Sequence, residues 1–292
     1  MTFILFTCYN FRIGDGTFDA ATALFCQLYT IHACDSKPMP IVYALLPNKT
    51  TATYLRMFSI IKNSIANYEP EFFISDFETG MIAAVKVAFT NTVHFGCYFH
   101  FKAALLKNIT NKGLKHCLAV SILSHQLKRV AALAFLPSQE RIEQGWNIIT
   151  QTTSPTIAPF LDYFEEQWLG LVKRGKREGA LPTAMWTFYR QLQEGIPITT
   201  NSVEGWHTKL DNLLKKRSNS LTNLMEAIRM DQTSNDRVID QYLNGIAINK
   251  PGSSKLTFTE RMTSIISTLE DDASVDGYLD RVASLMLNTG SE

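Results

Sequence analysis

The spacing of apolar and polar positions differs between segments of the chain, and these differences predict its strands and helices. Runs rich in aromatic and β-branched residues, bounded by turn residues, predict strands in the first hundred residues. Segments in which apolar residues recur at helical spacing lie between the later strand-like runs. The predicted elements are strands at residues 11–18, 24–33 and 39–46, a helix at 50–66, a strand at 72–75, a helix at 80–89 and a strand at 92–99. This βββαβαβ order predicts an α/β fold, with a mixed five-stranded sheet and flanking helices.

The pattern becomes helical almost throughout after the fifth predicted strand. We therefore expect an all-α insertion between that strand and the later helices. The predicted segments are 1–100, the first part of the α/β core; 101–198, the helical insertion; 199–245, the C-terminal helices of the core; and 246–292, a linker and an acidic helical tail.

Composition allows one large domain or two moderate ones, because 46% of the 292 residues are hydrophobic. The net charge is +1, so no overall field directs the chain toward a polyanion. Locally, however, the stretch from Thr79 to Gln139 has no acid and seven bases, whereas the stretch from Lys255 to Glu292 has seven acids and three bases. The basic stretch fits local docking of a polyanion or, equally, a solvated helical face.

Several classes of protein have no support in the sequence. Five cysteines, an odd number, indicate reduced intracellular thiols. The apolar start lacks a basic leader, and no stretch reaches the roughly 18 apolar residues of a membrane span, so we expect neither a secretion signal nor a transmembrane segment. The chain has no phosphate-binding glycine loop and no Gly-x-Ser-x-Gly elbow, so we expect no nucleotide cofactor and find no support for a serine hydrolase.

Three acids at predicted element ends are the candidate chemistry: Asp15, Asp76 and Glu204. Each also has a structural interpretation. Asp15-Gly is a common hairpin turn pair, Asp76 could cap the helix that follows it, and Glu204 lies at capping-box spacing after Asn201. Taken together, three carboxylates at one sheet edge could hold two divalent cations about 4 Å apart, as two-metal phosphoryl transfer requires.

The motifs around these acids resemble one family. Gly-Asp-Gly-Thr-Phe at 14–18, Phe-Ile-Ser-Asp-Phe-Glu at 73–78, Gly-Cys-Tyr-Phe-His-Phe at 96–101 and Asn-Ser-Val-Glu-Gly-Trp-His at 201–207 are similar to the catalytic domain of Mutator-like (MULE) transposases. The resemblance covers about residues 3–230.

The resemblance implies a ribonuclease-H-like (RNase H-like) fold with a DDE site formed by Asp15, Asp76 and Glu204, which bind Mg²⁺ or Mn²⁺. It also implies DNA cleavage followed by strand transfer, DNA as the partner, a homodimer and a nuclear location. Two alternatives stay open. One is a truncated or inactive copy, and the other is a domesticated DNA-binding or transcription-regulatory protein without catalysis.

Further residues near these motifs are candidates for contact with DNA. Cys97 and His100 match the family's Cys-x-x-His motif. A structural zinc ion needs four ligands, and the candidates for the other two are His116 and Cys117. Because those two are neighbours on a predicted helix, we expect their side chains to diverge and do not expect structural zinc.

The segment after Glu204 supplies the remaining candidates. His207 lies one helical turn after Glu204 and could contact a phosphate or the glutamate. Trp206 could stack on a base, although packing in a core is the commoner role, and Lys209 could contact a phosphate.

Overall fold

The structure, a computed structural model, describes residues 11–17, 25–34, 38–65, 68–173, 175–178, 181–199, 201–215, 220–244, 257–268 and 274–287. These residues fall into two compact units. The first lies within Met1–Phe95 and Thr199–Ser253, and the second lies within Gly96–Ile198 and Ser254–Glu292.

The first unit contains five strands and four helices among its described residues. The strands are β1 (Phe11–Thr17), β2 (Gln27–Cys34), β3 (Met39–Leu46), β4 (Phe72–Ser75) and β5 (Val93–Gly96). The helices are α1 (Thr51–Ser64), α2 (Thr79–Ala88), α9 (Asn201–Lys215) and α10 (Leu221–Leu243).

The second unit is mainly helical in its described part and also contains a short hairpin. Its helices are α3 (Tyr98–Asn111), α4 (Ser121–Ala132), α5 (Gln139–Thr152), α6 (Ala158–Phe164), α7 (Thr183–Trp186), α8 (Tyr189–Gln193), α11 (Phe258–Ile266) and α12 (Val275–Leu287). The hairpin pairs β6 (Leu171–Lys173) with β7 (Lys176–Glu178). Short 3₁₀ and π turns link the helices at Lys115–Ala119, Leu133–Phe135, Pro155–Ile157 and Glu165–Leu169.

The sheet of the first unit is mixed, with the strand order β3-β2-β1-β4-β5. β2 pairs antiparallel with both β1 and β3, whereas β1 pairs parallel with β4. This sheet and its helices confirm the α/β prediction and are consistent with an RNase H-like fold. The fifth strand ends at Gly96 instead of residue 99, because the chain enters α3 at Tyr98.

Both faces of this sheet are covered by helices. On one face, Tyr29, Ile31 and Phe73 share a buried core with residues of α1 and α2. On the other face, Leu28 packs with apolar residues of α9 and α10: Leu210, Leu214, Leu224 and Ala227. Because side chains alternate along a strand, each strand residue is assigned to one of these two cores by its register.

Aromatic packing forms the core of the second unit. Phe101 of α3 lies 4.8 Å from Trp168 and 5.6 Å from Phe188, between ring centroids. Trp186 is fully buried beside them. Since large rings bury much apolar area at low entropic cost, this cluster can hold together a unit that contains several very short helices.

The tail helices belong to this second unit. α11 packs against α8, and α12 packs against α4 and α5. Arg129 of α4 pairs with Asp276 and Asp280 of α12, and Nε of Arg129 lies 3.2 Å from Oδ1 of Asp280. These tail acids neutralise part of the basic stretch. The division into segments at residues 101, 199 and 246 stays a prediction. No described helix is both long and apolar enough to cross a membrane.

Candidate active site

Asp15 lies inside β1, where it pairs with Thr30 of β2. The residue is only 7% exposed, and Oδ1 accepts a hydrogen bond of 3.0 Å from the backbone N–H of Gly16. The turn interpretation of Asp15-Gly16 is therefore wrong, because both residues continue the ladder with β2. Pairing with a distant strand overrides the local turn preference.

The glycines on either side of Asp15 are explained by close approach of side chains from the neighbouring strands β2 and β4. A Cβ atom at Gly14 would collide with the hydroxyl of Tyr29 and the ring of Phe73. A Cβ atom at Gly16 would collide with the side-chain amide of Gln27. The Gly-Asp-Gly pattern thus leaves room for large side chains on one face of the sheet, while Asp15 points to the other face.

Asp76 follows β4 at the same level of the sheet as Asp15. β1 and β4 are parallel, with Ile13 opposite Ile74, so two further residues along each strand bring the chain to Asp15 and Asp76. Oδ1 of Asp76 accepts from the backbone N–H of Glu78 at 3.2 Å, and the residue at the N-cap of α2 is Glu78. Asp76 therefore orders the turn before the helix and does not occupy the cap itself.

The hydroxyl of Tyr29 is in the electrostatic environment of these acids. Burial raises its pKa well above the ordinary value, and the negative charges of Asp76, Asp15 and Glu78 raise it further. The Tyr29 hydroxyl therefore stays protonated at neutral pH and adds no negative charge beside these acids.

Glu78 has structural partners of its own. Its carboxylate accepts from the Tyr54 hydroxyl and from Nζ of Lys49, each at 2.9 Å. Tyr54 in turn accepts from Nε2 of Gln27 at 2.7 Å. This network joins β2 to the helices on its face, so Glu78 ranks below Asp15 and Asp76 as a candidate ligand.

Glu204 lies in the first turn of α9, whose buried residues Val203, His207, Leu210 and Leu214 recur at helical spacing. Its own side chain is half-buried. α9 contacts β1, the strand that carries Asp15. The structure therefore places Glu204 on a helix that packs on the sheet face toward which Asp15 points.

The predicted metal centre requires these carboxylates to surround one point. Their oxygens are the ligand type that Mg²⁺ and Mn²⁺ prefer, and the register of β1 and β4 suits a pair of aspartate ligands. Within the described ranges, however, no three His, Cys, Asp or Glu side chains are grouped as a metal site. The Mg²⁺ or Mn²⁺ site formed by Asp15, Asp76 and Glu204 stays a prediction.

His207 contacts the first aspartate. Its Nδ1 lies 3.5 Å from Oδ2 of Asp15, and its Nε2 lies 3.1 Å from Oγ1 of Thr30. His207 is buried. The sequence suggested Glu204 or a phosphate as the partner of His207. Helical spacing identifies neighbours within one helix only, so it could not identify Asp15, which lies on a strand.

Trp206 packs against the sheet. Its ring centroid lies 5.3 Å from that of His32 and 5.8 Å from that of Tyr43, and its Nε1–H donates to Asp231 at 2.8 Å. Nζ of Lys209 lies 3.4 Å from the same carboxylate, although the Lys209 side chain is 63% exposed. These contacts favour the packing role of Trp206, and contact with DNA by either residue stays a prediction.

Three polar residues of this region were missed by the sequence analysis: Thr30, His32 and Asp231. Thr30 and His32 are fully buried in β2. A signal existed, because Thr30 and His32 stand two apart in a strand that is mostly apolar and must share one face. Asp231 gave no such signal, because it is one of many polar residues in a long amphipathic helix.

Cys97 and His100 belong to the second unit. Cys97 is buried directly before α3, and His100 is half-buried in its first turn. The expected divergence of His116 and Cys117 is wrong, because Sγ of Cys117 lies 3.4 Å from Nε2 of His116 on a 3₁₀ turn. Even so, these residues are part of no metal-binding group of three among the described side chains.

The fold and its acidic edge define a class: an α/β unit consistent with RNase H-like architecture, with two aspartates at one level of a parallel strand pair. Comparison with known families is in agreement. The family model of the MULE transposase domain matches residues 13–104, which extend from β1 into α3. The resemblance to a Mutator-like transposase is confirmed for this segment, and this family implies DNA as a partner. No curated protein matches the chain.

Proposed function

We propose that this protein is the catalytic domain of a DDE-type DNA transposase, with an RNase H-like core and a helical insertion at 101–198. The carrying observation is the parallel register of β1 and β4, which brings Asp15 and Asp76 to one level at the carboxyl ends of their strands. Ligand sites of α/β sheets form at such ends. The match of residues 13–104 to the MULE transposase domain supports the proposal.

Asp15, Asp76 and Glu204 would hold Mg²⁺ or Mn²⁺, which would supply an activated nucleophile and stabilise the leaving oxygen. Contacts with the surrounding protein orient two of these carboxylates. One oxygen of Asp15 is held by the Gly16 N–H, and its other oxygen faces His207. One oxygen of Asp76 is held by the Glu78 N–H. Carboxylates fixed in this way keep further lone pairs for a cation.

Nicking of supercoiled plasmid DNA in Mn²⁺ tests the proposal. We expect the wild-type protein to nick, and we expect Glu204→Gln and Asp76→Asn to lose at least 100-fold in rate, as on removal of a metal ligand (an order-of-magnitude expectation). Glu78→Gln is the matched control, since it removes a neighbouring charge but keeps an acceptor for Tyr54. Equal nicking by wild type and Glu204→Gln would contradict the proposal.

A second candidate function is a domesticated DNA-binding regulator without catalysis. It is favoured by one observation: Asp15, a candidate metal ligand, is buried against His207. On this hypothesis wild type and Glu204→Gln bind DNA equally in a gel-shift assay, and neither nicks it. For both functions we propose a nuclear homodimer, which sedimentation and imaging of a tagged protein would test.

A further inference from the structure

A small cavity opens on the second unit between α3 and α4. Its volume is about 90 Å³. The lining comes from these two helices, from the turn at Lys115–Ala119 and from α6 and α12. Most of the lining is apolar and includes Leu105, Leu106, Ile109, Leu118, Leu127 and Ala131. Lys102 and Leu106 are exposed, so one side of the cavity faces solvent.

Two lysines flank this apolar lining. Among the described residues around the cavity, the charged side chains are Lys102 of α3 and Lys128 of α4. Neither ammonium group forms an ion pair with a described acid. By contrast, the neighbouring Arg129 pairs with Asp276 and Asp280 of α12. These tail acids therefore compensate Arg129 and leave the two lysines without a counter-charge among the described side chains.

The two ammonium groups are close enough to affect each other. Burial lowers the pKa of Lys128, and the positive charge of Lys102 lowers it further. Lys128 is half-buried, so salt and water screen its charge less well than at an open surface. An anion beside both groups would offset the repulsion between them and would accept charge-assisted hydrogen bonds from both. The mouth of the cavity therefore favours a negatively charged group.

The apolar walls limit the chemistry of the rest of a ligand. A polar group placed between aliphatic side chains loses its hydrogen bonds to water, which weakens binding. A nucleobase or a peptide backbone therefore suits this lining poorly, whereas an alkyl chain suits it well. The cavity holds about three times a water molecule's share of liquid volume, which is roughly 30 Å³, so it accepts a short chain or the end of a longer one.

We propose that this cavity binds an anionic amphiphile, with its alkyl chain among the apolar side chains of α3 and α4 and its carboxylate head beside Lys102 and Lys128. Each methylene that enters the cavity should tighten binding about fourfold, until the cavity is full. All of the lining residues belong to the second unit, so the proposal does not depend on metal binding or catalysis by the first unit.

Titration of the full chain with octanoate tests the site. Methyl ¹H–¹³C spectra report on Leu105, Leu106 and Leu127, and we expect their resonances to shift saturably. Octylammonium, which has the same chain and the opposite charge, should leave them unshifted at the same concentration. In a series from butanoate to octanoate, affinity should rise with chain length and then level off. No saturable shift with octanoate, or equal affinity for octylammonium, would overturn the proposal.

Substitution of the lysines tests the position of the head group. The double variant Lys102→Met and Lys128→Met removes both charges and keeps two unbranched apolar stems, so octanoate affinity should fall about 10-fold or more. Lys107→Met is the matched control, because Lys107 is exposed on α3 and lies outside the lining. This control should bind octanoate as wild type does. Equal affinities of the double variant and the control would refute the role of the two lysines.

Substitution of Ala131 tests the position of the alkyl chain. Ala131→Leu fills part of the cavity, so affinity should stop rising at a shorter chain than in wild type, whereas Ala131→Ser should retain the wild-type series. Circular dichroism shows whether each variant is folded. An unchanged dependence on chain length in folded Ala131→Leu would mean that the chain binds elsewhere and would overturn the proposal. If Ala131→Leu does not fold, the lysine variants and octylammonium still decide.

Discussion

His32 should make the first unit sensitive to acid. It is fully buried in β2, and its pKa falls from the ordinary value of 6.5 to about 3 because burial disfavours the charged ring, with a smaller effect from His207. Below pH 6.5 the unfolded chain binds a proton that the folded chain does not bind. The free energy of unfolding therefore falls as the pH drops from 6.5 toward 3, and above pH 6.5 the effect disappears.

The size of the effect at pH 5 follows from these two pKa values. pH 5 lies 1.5 units below the unfolded value of 6.5 and still above the folded value of about 3. At about 1.4 kcal/mol per unit, His32 should therefore reduce the free energy of unfolding by about 2 kcal/mol between pH 7.5 and pH 5.

Pulsed hydrogen exchange of β1 and β2 peptides across a urea series measures this free energy in the first unit alone. His32→Gln is the comparison, since glutamine can donate to Thr30 but does not titrate. We expect wild type to lose about 2 kcal/mol more than His32→Gln between the two pH values. The same pH dependence in both proteins would refute the argument, whatever their absolute stabilities.

Two further predictions concern close packing and a buried carboxylate. Gly14→Ala should destabilise the first unit by about 1–3 kcal/mol because its Cβ would collide with the Tyr29 hydroxyl, and Tyr29→Phe in the same chain should recover part of that loss in urea unfolding. No recovery would mean that the hydroxyl is not the obstacle. Asp231→Ala should cost about 1–3 kcal/mol, because it removes the acceptor of the Trp206 indole N–H and of the Tyr43 hydroxyl, and a red shift of Trp206 fluorescence should accompany it. Asn235→Ala, which removes only a donor to the same carboxylate, should cost less.

The strands and helices of the first unit were largely predictable, because their signals are local. An apolar run bounded by turn residues located β3 at Met39–Leu46 to the residue, and helical spacing predicted α1 to within two residues of Thr51–Ser64. The hairpin of β6 and β7 was missed, since two strands of three residues are too short to show a period. The boundary after β5 was also misplaced, because apolar residues continue from the strand into α3.

The same distinction between local signals and distant contacts applies to the candidate site. The sequence identified Asp15, Asp76 and Glu204, because each lies in a distinctive motif at an element end. The sequence did not reveal that Glu78 is held by Tyr54, or that Thr30 and His207 lie beside Asp15. These facts depend on contacts between residues far apart in the chain.

By itself, then, the sequence determined the kinds of elements, their order and the acids that could perform chemistry, because periodicity and motifs are read within a few residues. The tertiary structure alone decided which face of the sheet each acid occupies and which partner holds it. The physical reason is strand register: a shift of one residue moves every side chain to the opposite face, and that register is fixed only when distant strands and helices pack together.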